Sequence, residues 1–295
     1  MAEHNIPRPR LACEISAERV VAARAGEGGK TLEAAAAQKL PEGALAPGLT
    51  QANVASREAL VFALRQVLSA VAGRSADLCL VVPDATTRIM LLDFDTLPDK
   101  PQEADAVVRF RLKKSLPFDV DQSSVLFDRQ GTSNPVRVVA AVTPRAVLEE
   151  YESVVREAGY NPGAVLPAML AALGAVDGSR PTMVIKAERG ATSFAIVDQD
   201  QLRLYRALEN GGPAVTGESL VDDVNTSLVY FEDRYAVGVD RVLVAGVESA
   251  QELQKALSAT SGIRVEELIS SSLAGAAAGN VSRSLLAGVA GALVS

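Results

Sequence analysis

Histidine, cysteine and tryptophan are scarce in this sequence, and each shortage excludes a class of site. The 295 residues include one histidine, His4, two cysteines and no tryptophan. Serine–histidine–aspartate triads, cysteine–histidine pairs and histidine-rich metal sites each need a positioned imidazole, so none of them is expected. Cys13 and Cys79 lie in apolar, strand-like runs without a CxxC spacing. We therefore predict buried free thiols, which fit a reducing cytoplasm.

Long apolar runs and basic stretches are missing as well. The longest stretch rich in Ala, Leu and Val, residues 285–294, is about half of the ~20 residues that span a bilayer. The N-terminus lacks the apolar segment of a secretory signal. The formal net charge is -7 and no segment is dense in Lys or Arg, so nucleic acid is not expected as a partner. These features predict a soluble protein that does not cross a membrane by itself.

Two stretches, about 170 residues apart, each predict three short strands joined by tight turns. The first covers 11–15, 19–24 and 31–37, and the second covers 183–186, 192–197 and 202–205. Polar or glycine-bearing turns such as Glu188-Arg189-Gly190 separate the strands. A repeated unit in a chain of this length predicts two related lobes, with the functional site between them.

The rest of the chain alternates between helical and strand-like patterns. Helices are predicted at 53–72, 102–116, 143–158, 168–176, 216–235, 250–258 and 281–294, and strands at 78–82, 88–94, 124–129, 136–142, 164–166, 241–245 and 263–265. Thr143 and Pro144 are predicted as the N-cap and first residue of their helix, and 270–279 as a loop. This order predicts α/β layers with mixed sheets flanked by helices.

Three segments resemble a known family. Residues 106–128, AVVRFRLKKSLPFDVDQSSVLFD, resemble its helix, the "PF" that follows and the next strand. Residues 138–144, VVAAVTP, followed by Tyr151 and by Gly159, resemble a second family stretch, and 282–293, SRSLLAGVAGAL, are similar to its closing helix. The family is PilM, the actin-like proteins of type IV pilus assembly, which are related to FtsA. The resemblance covers nearly the whole chain in order.

The resemblance implies an actin-like (RNase H-like) fold of two duplicated lobes, with mixed sheets flanked by helices and a small inserted subdomain. The implied division is 1–76 for the first part of lobe 1, 77–142 for the inserted subdomain, 143–180 for the remainder of lobe 1, 181–280 for lobe 2 and 281–295 for a C-terminal helix that returns to lobe 1.

The resemblance also implies a nucleotide site, and the sequence departs from it. The positions that correspond to the family's phosphate-binding and adenine-side turns are Glu14, Ser16, Lys186, Glu188, Gly190, Gly212 and Gly246. This chain has Ser16 where the family has a glycine, Lys186 where it has the metal-directing acid, and Glu188 where it has a second glycine. A carboxylate about 4 Å from a phosphate costs on the order of 4 kcal/mol at an effective dielectric near 20. We predict a vestigial site with no catalytic residue, no metal and no cofactor, and leave ATP binding without hydrolysis open.

The resemblance further implies a partner. Family members act at the cytoplasmic face of the inner membrane, and we expect a non-catalytic adaptor that binds the cytoplasmic tail of a PilN-like membrane protein. Membrane association would occur only through this partner, and self-association is left open. The groove between the inserted subdomain and the first lobe is the expected binding region, with 88–94 and 124–129 as lining strands. Candidate partner-binding residues are Arg109, Phe110, Leu112, Lys113 and Phe118. A solvated helix face and core packing remain open for these residues.

Two other functions stay open at this point. An active actin-like ATPase or sugar kinase would need an aspartate near position 186, where this chain has Lys186. The other possibility is a GspL-like cytoplasmic domain of a type II secretion system. The GspL cytoplasmic domains share this fold and continue into a membrane helix.

Overall fold

The computed structural model describes residues 9–50, 52–131, 135–209, 216–247, 250–260, 262–279 and 281–294, so His4 and Gly212 lie outside the described residues. The strands are β1 Leu11–Ile15, β2 Arg19–Ala25, β3 Leu32–Lys39, β4 Asp77–Val82, β5 Arg88–Phe94, β6 Ser123–Gln130, β7 Val136–Pro144, β8 Asn161–Pro167, β9 Thr182–Glu188, β10 Ala191–Asp198, β11 Gln201–Glu209, β12 Arg241–Ala245 and β13 Arg264–Glu267. The helices are α1 Arg57–Val71, α2 Pro101–Lys113, α3 Arg145–Glu157, α4 Ala168–Leu173, α5 Val221–Tyr235, α6 Ala250–Thr260, α7 Ser271–Ala274 and α8 Ala287–Val294.

Two five-stranded sheets have the same topology. Their strand orders are β3-β2-β1-β4-β8 and β11-β10-β9-β12-β13. In each sheet the first three strands form an antiparallel meander, and the next two strands join it in parallel. Strand β1 of the first sheet therefore corresponds to β9 of the second sheet. The duplication predicted from the two meanders is confirmed.

A third, three-stranded antiparallel sheet has the order β5-β7-β6 and is inserted after β4. Helix α2 covers one face, where Val108 and Leu112 share a core with Val138 and Ala140. Strand β4 pairs with β1 in the first sheet, because its apolar run DLCLVV suits a strand buried on both faces. Residues 77–142 were predicted as the inserted subdomain, but β4, which begins at Asp77, is a strand of the first sheet.

Two local predictions are wrong. Thr143 and Pro144, predicted as the N-cap and first residue of a helix, belong to β7, and the helix begins at Arg145. The Thr143 hydroxyl does not cap the helix, because it bonds to the Thr87 hydroxyl at 2.8 Å. The predicted loop 270–279 contains α7 and a 3-10 turn. Ser270 caps this segment by accepting a hydrogen bond from the Leu273 backbone N–H. Cys13 and Cys79 are buried and are not joined in a disulfide, as predicted.

Small residues let α8 and α4 approach each other closely in the core between the two large sheets. This core contains residues of both sheets, such as Ala12 and Val184, together with most of α4 and α8. A Cβ atom at Gly291 would overlap the carbonyl oxygen of Ala171. Helix α8 also packs against β1, β2 and β4, so this segment lies against the first sheet.

We expect Gly291→Ala to lower the free energy of unfolding by about 1–3 kcal/mol, because an extra methyl group in a tightly packed core forces backbone shifts. Gly238→Ala is the matched control, since a Cβ there meets nothing within 4 Å. Urea unfolding followed by circular dichroism measures both variants. Equal stability of the two variants would contradict the close approach of the helices.

Candidate functional site

The corresponding central strands β1 and β9 bring one carboxylate and one ammonium together between the lobes. Lys186 on β9 donates a hydrogen bond through Nζ to Oε1 of Glu14 on β1, at 2.7 Å. The two residues are 172 positions apart in the sequence. Both are buried, and the Lys186 side chain is 5% exposed. This ion pair therefore connects the two sheets inside the protein.

Glu188 completes the contact around the ammonium group. Residues i and i+2 of a strand point to the same face, so Lys186 and Glu188 project to one side of β9. Lys186 Nζ contacts Glu188 Oε1 in a second ion pair. Two carboxylates from different lobes thus share one lysine.

Asp84 adds a third carboxylate, which is itself buried, close to this group. It lies in a 3-10 turn directly after β4, and its Oδ1 accepts a hydrogen bond of 2.9 Å from the Met169 backbone N–H at the start of α4. Burial raises the pKa of Asp84 to about 6, and the nearby Glu188 adds to the rise. The site therefore holds one ammonium and three carboxyl groups.

Burial is the largest influence on Glu14 as well. It raises the pKa of Glu14 to about 7, with Lys186 acting in the opposite direction. Burial alone would lower the pKa of Lys186, but Glu14, Glu188 and Asp84 outweigh it and hold that pKa above its usual value. Within the described part of the chain, Glu14 Oε2 has no hydrogen-bond partner. The cluster keeps its ammonium charged and has fewer cations than carboxyl groups.

A small cavity of about 100 Å³ adjoins the cluster. Sites for drug-sized ligands are typically about 300–1,000 Å³. Gly246 borders this cavity with φ +69°, and a Cβ there would overlap the Ala187 carbonyl oxygen, so the close approach requires glycine. The lining residues are Glu14, Ser16, Glu18, Arg19, Val21, Lys186, Ala187, Glu188, Arg189, Ala245, Gly246, Ser284, Leu285 and Ala287.

Most of the residues predicted for a vestigial nucleotide site lie together. Five of them line the cavity: Glu14, Ser16, Lys186, Glu188 and Gly246. Gly190 lies nearby in the β9–β10 turn with φ +91°, and Gly212 is outside the described residues. Whether any of them contacts a nucleotide stays a prediction. Sequence reasoning missed Asp84 and the pairing of Lys186 with Glu14, although a lysine inside the apolar run MVIKA signals a buried partner.

The residues predicted for partner binding divide into different environments on and beside α2. Phe110 is 63% exposed, and the Lys114 ammonium lies 4.5 Å from its ring centroid. Arg109 bonds to Asp105, Lys113 bonds to Asp121, and Phe118 is partly buried against the core under the inserted sheet. Leu112 is fully buried in that core. Its predicted contact with a partner is therefore wrong, because it has no accessible surface.

A groove lies between the inserted sheet and the first sheet, on the face opposite to α2. Its volume is about 350 Å³. The strands β6 and β8 that border it are both edge strands of their sheets. Leu126 of β6 lines the groove and is 67% exposed. The lining residues are Val82, Thr87, Ser124, Leu126, Ala141, Thr143, Leu148, Glu152, Pro162, Gly163, Ala164, Val165, Leu166 and Pro167, so 124–129 contributes as predicted and 88–94 does not.

Comparison with known proteins gives matches in structure alone. No family model and no curated protein sequence matches the chain. A structure described as a PilM–PilN type IV pilus biogenesis complex matches with a TM-score of 0.78 at 18% identity, over 98% of both chains. The chain has an actin-like fold. The resemblance inferred from the sequence is thus confirmed at the level of the fold.

Two more distant structures have the same fold. One is the cytoplasmic domain of EpsL, an inner membrane component of the type II secretion system of Vibrio cholerae, with a TM-score of 0.53 and 10% identity over 89% of this chain and 98% of that one. The other is the ethanolamine utilization protein EutJ from Carboxydothermus hydrogenoformans, with a TM-score of 0.51 and 11% identity over 98% and 90%. Among the described residues, no helix is both long and apolar enough to cross a bilayer.

We expect Lys186→Met to lower the free energy of unfolding by about 3–5 kcal/mol, because Glu14 and Glu188 lose their shared partner and Glu14 must take up a proton or remain as an unpaired buried charge. Lys100→Met is the control, since Lys100 forms an exposed pair with Glu103, and exposed pairs contribute about 0–1 kcal/mol. Urea unfolding at pH 7.5 compares the variants, and similar losses in both would contradict a special role of the buried pair.

Stability should fall as the pH rises from about 4.5 to about 7. In this window the folded protein binds more protons than the unfolded chain, because the pKa of Glu14 rises from its usual 4.5 to about 7 and that of Asp84 from 3.8 to about 6. Each unit of pKa shift corresponds to about 1.4 kcal/mol. We expect Glu14→Gln to flatten the decline between pH 5 and pH 7, as measured by urea unfolding. An unchanged slope in the variant would contradict the assignment of the rise to Glu14.

Proposed function

We propose that the protein is a non-catalytic adaptor that binds the extended cytoplasmic tail of a PilN-like inner-membrane protein in the groove between β6 and β8. The observation that carries this proposal is a groove bordered by two edge strands, with Leu126 exposed on its wall. Edge strands present unpaired backbone groups, to which an extended peptide can add as a further strand.

The alternation of β6 supports a binding role for its outer face. Val125 and Phe127 point towards α2 and its core, so they serve the folding of the inserted sheet. Ser124 and Leu126 point the other way, into the groove. Since Leu126 is not needed for the core, its exposure on the groove wall favours a ligand with an apolar side chain at this position.

The comparisons support the kind of partner. The structure with the TM-score of 0.78 is described as a PilM–PilN complex, and the EpsL domain is described as part of an inner membrane component. By analogy, the adaptor would lie at the cytoplasmic face of the inner membrane and would associate with the membrane only through its partner. The net charge of -7 gives no basis for binding nucleic acid, and self-association is open.

The cluster between the lobes supports the absence of catalysis. The residues present do not fit a magnesium-bound nucleotide, because the Lys186 ammonium already contacts Glu14 and Glu188 and the adjoining cavity is about 100 Å³. Glu188 would repel a phosphate, at a cost of about 4 kcal/mol for a 4 Å separation at a dielectric near 20. An active ATPase or sugar kinase is therefore disfavoured.

A role as the cytoplasmic domain of a type II secretion component is the second candidate. The observation that favours it is the match to the EpsL domain, over 98% of that chain. The higher TM-score of the PilM–PilN structure, 0.78 against 0.53, makes the pilus adaptor the first choice.

We expect Leu126→Asp to weaken binding of a synthetic PilN N-terminal tail peptide at least tenfold, because losing one buried leucine costs about 1.5–3 kcal/mol. Phe110→Asp is the matched control, since Phe110 is equally exposed on α2 and outside the groove. Isothermal titration gives the affinities, and circular dichroism verifies folding. If Phe110→Asp abolishes binding and Leu126→Asp does not, the site lies on α2. Failure of the unaltered protein to bind any PilN peptide would contradict the proposed function.

We expect no ATP hydrolysis and no thermal shift with millimolar Mg-ATP. A ligand at 100 times its dissociation constant stabilises by about 2.7 kcal/mol, which a thermal unfolding scan detects easily. Mg-ADP and sodium triphosphate serve as controls for the nucleotide and for the charge. A saturable increase in Tm with Mg-ATP would instead favour the ATPase reading.

A further inference from the structure

Three arginines lie at one edge of the second large sheet. Neighbouring parallel strands begin at the same edge, and β12 and β13 begin with Arg241 and Arg264, which are register partners. Arg180 comes two residues before β9, the parallel neighbour of β12 on its other side. The three side chains therefore come from adjacent segments, and they line one cavity of about 340 Å³.

The charges of these arginines are not neutralised by ion pairs. Among the ion pairs of the described residues, none involves any of the three. Arg241 donates hydrogen bonds to Thr182 Oγ1 at 3.2 Å and to the Asp177 carbonyl oxygen at 3.3 Å, which fix the direction of its guanidinium. Hydrogen bonds from Ser179 lower the pKa of the Asp177 carboxyl, and the charges of Arg241 and Arg180 add to this effect.

We propose that the cavity lined by Arg180, Arg241 and Arg264, here called the arginine cavity, binds a small phosphate monoester that carries hydroxyl groups. Three guanidinium groups suit a tetrahedral oxyanion, because each can donate to different oxygens and none can lose its charge. A phosphate monoester has a charge between about -1.5 and -2 at pH 7. The volume is near the lower end of the ~300–1,000 Å³ range of ligand sites, so the ligand is small.

Two acidic residues limit which phosphates fit. Asp240 and Glu266 complete the lining of the arginine cavity. Glu266 lies two residues after Arg264 on β13, so both side chains project to the same face of the strand. The carboxylates can accept hydrogen bonds from ligand hydroxyl groups, and they repel any phosphate beyond the first. This arrangement favours a monoester over a polyphosphate, in agreement with the expected lack of response to Mg-ATP.

Titration with glycerol 3-phosphate tests the arginine cavity. We expect saturable binding to the unaltered protein in isothermal titration calorimetry, and at least tenfold weaker binding to Arg264→Gln and to Arg180→Gln, because charged hydrogen bonds to the phosphate are lost. Both arginines are exposed, so their replacement leaves the core intact. Arg111→Gln is the matched control, since Arg111 is exposed on α2, lies outside the cavity and loses the same charge. Circular dichroism verifies the folding of each variant.

Three further titrations, all at one ionic strength, separate a monoester site from general attraction to a basic surface. Glycerol should not bind, inorganic phosphate should bind more weakly than glycerol 3-phosphate, and sodium triphosphate should bind no more tightly than inorganic phosphate. In Glu266→Gln triphosphate should bind more tightly than in the unaltered protein, because a repelling charge is absent.

Four results would overturn the proposal. They are no binding of glycerol 3-phosphate at about 20 mM, equal weakening by Arg111→Gln and Arg264→Gln, equal affinities for phosphate and glycerol 3-phosphate, and a preference of the unaltered protein for triphosphate. The arginine cavity belongs to the second lobe and this inference does not rest on tail binding in the groove. The peptide titration is a separate measurement, so the two proposals can fail independently.

Discussion

A charged group buried in a protein must have a partner, and this constraint governs how the two lobes meet. Lys186 has almost no contact with water, and its partners Glu14 and Glu188 lie on strands from different sheets. Removing either charge would leave the other unsatisfied in a medium of low dielectric. The glycine at 288 lies beside the same carboxylate, and the small residues of α4 and α8 bring the surrounding elements close. The relative position of the lobes is thus set jointly by one ion pair and by close packing.

Much of the fold could be predicted because local patterns and tertiary packing agree. The strand 78–82 was predicted from an unbroken apolar run, and its position between β1 and β8 buries both of its faces. The wrong predictions occur where a contact between residues distant in sequence determines the local structure. Thr143 would cap a helix by its local pattern, but its hydroxyl bonds to Thr87, and β7 continues through it. The segment 270–279 lacks apolar periodicity, yet Ala274 and Ala277 are buried in the shared core, which favours compact helical turns.

The candidate site was predicted in position but not in arrangement. Motif correspondence found Glu14, Lys186 and Glu188, since the turns that follow equivalent strands meet in a duplicated fold. It could not show that the lysine contacts both acids, because side-chain pairing across 172 residues leaves no local pattern. Asp84 escaped notice for the same reason. On α2, a helical pattern does not tell which flank of the apolar face is covered, so Leu112 was grouped with Phe110 although one is core and the other is surface.

The two prolines of β8 limit the number of backbone N–H donors that this edge strand can offer. Pro162 and Pro167 lie near the ends of this edge strand and have no N–H group to donate. Four residues remain between them, and since successive N–H groups of a strand point to opposite edges, about two donors face outwards. A segment lying along β8 would therefore form a very short ladder, and its sequence rather than its main chain would determine how tightly it is held. The same shortness protects this edge against indiscriminate pairing with strands of other proteins.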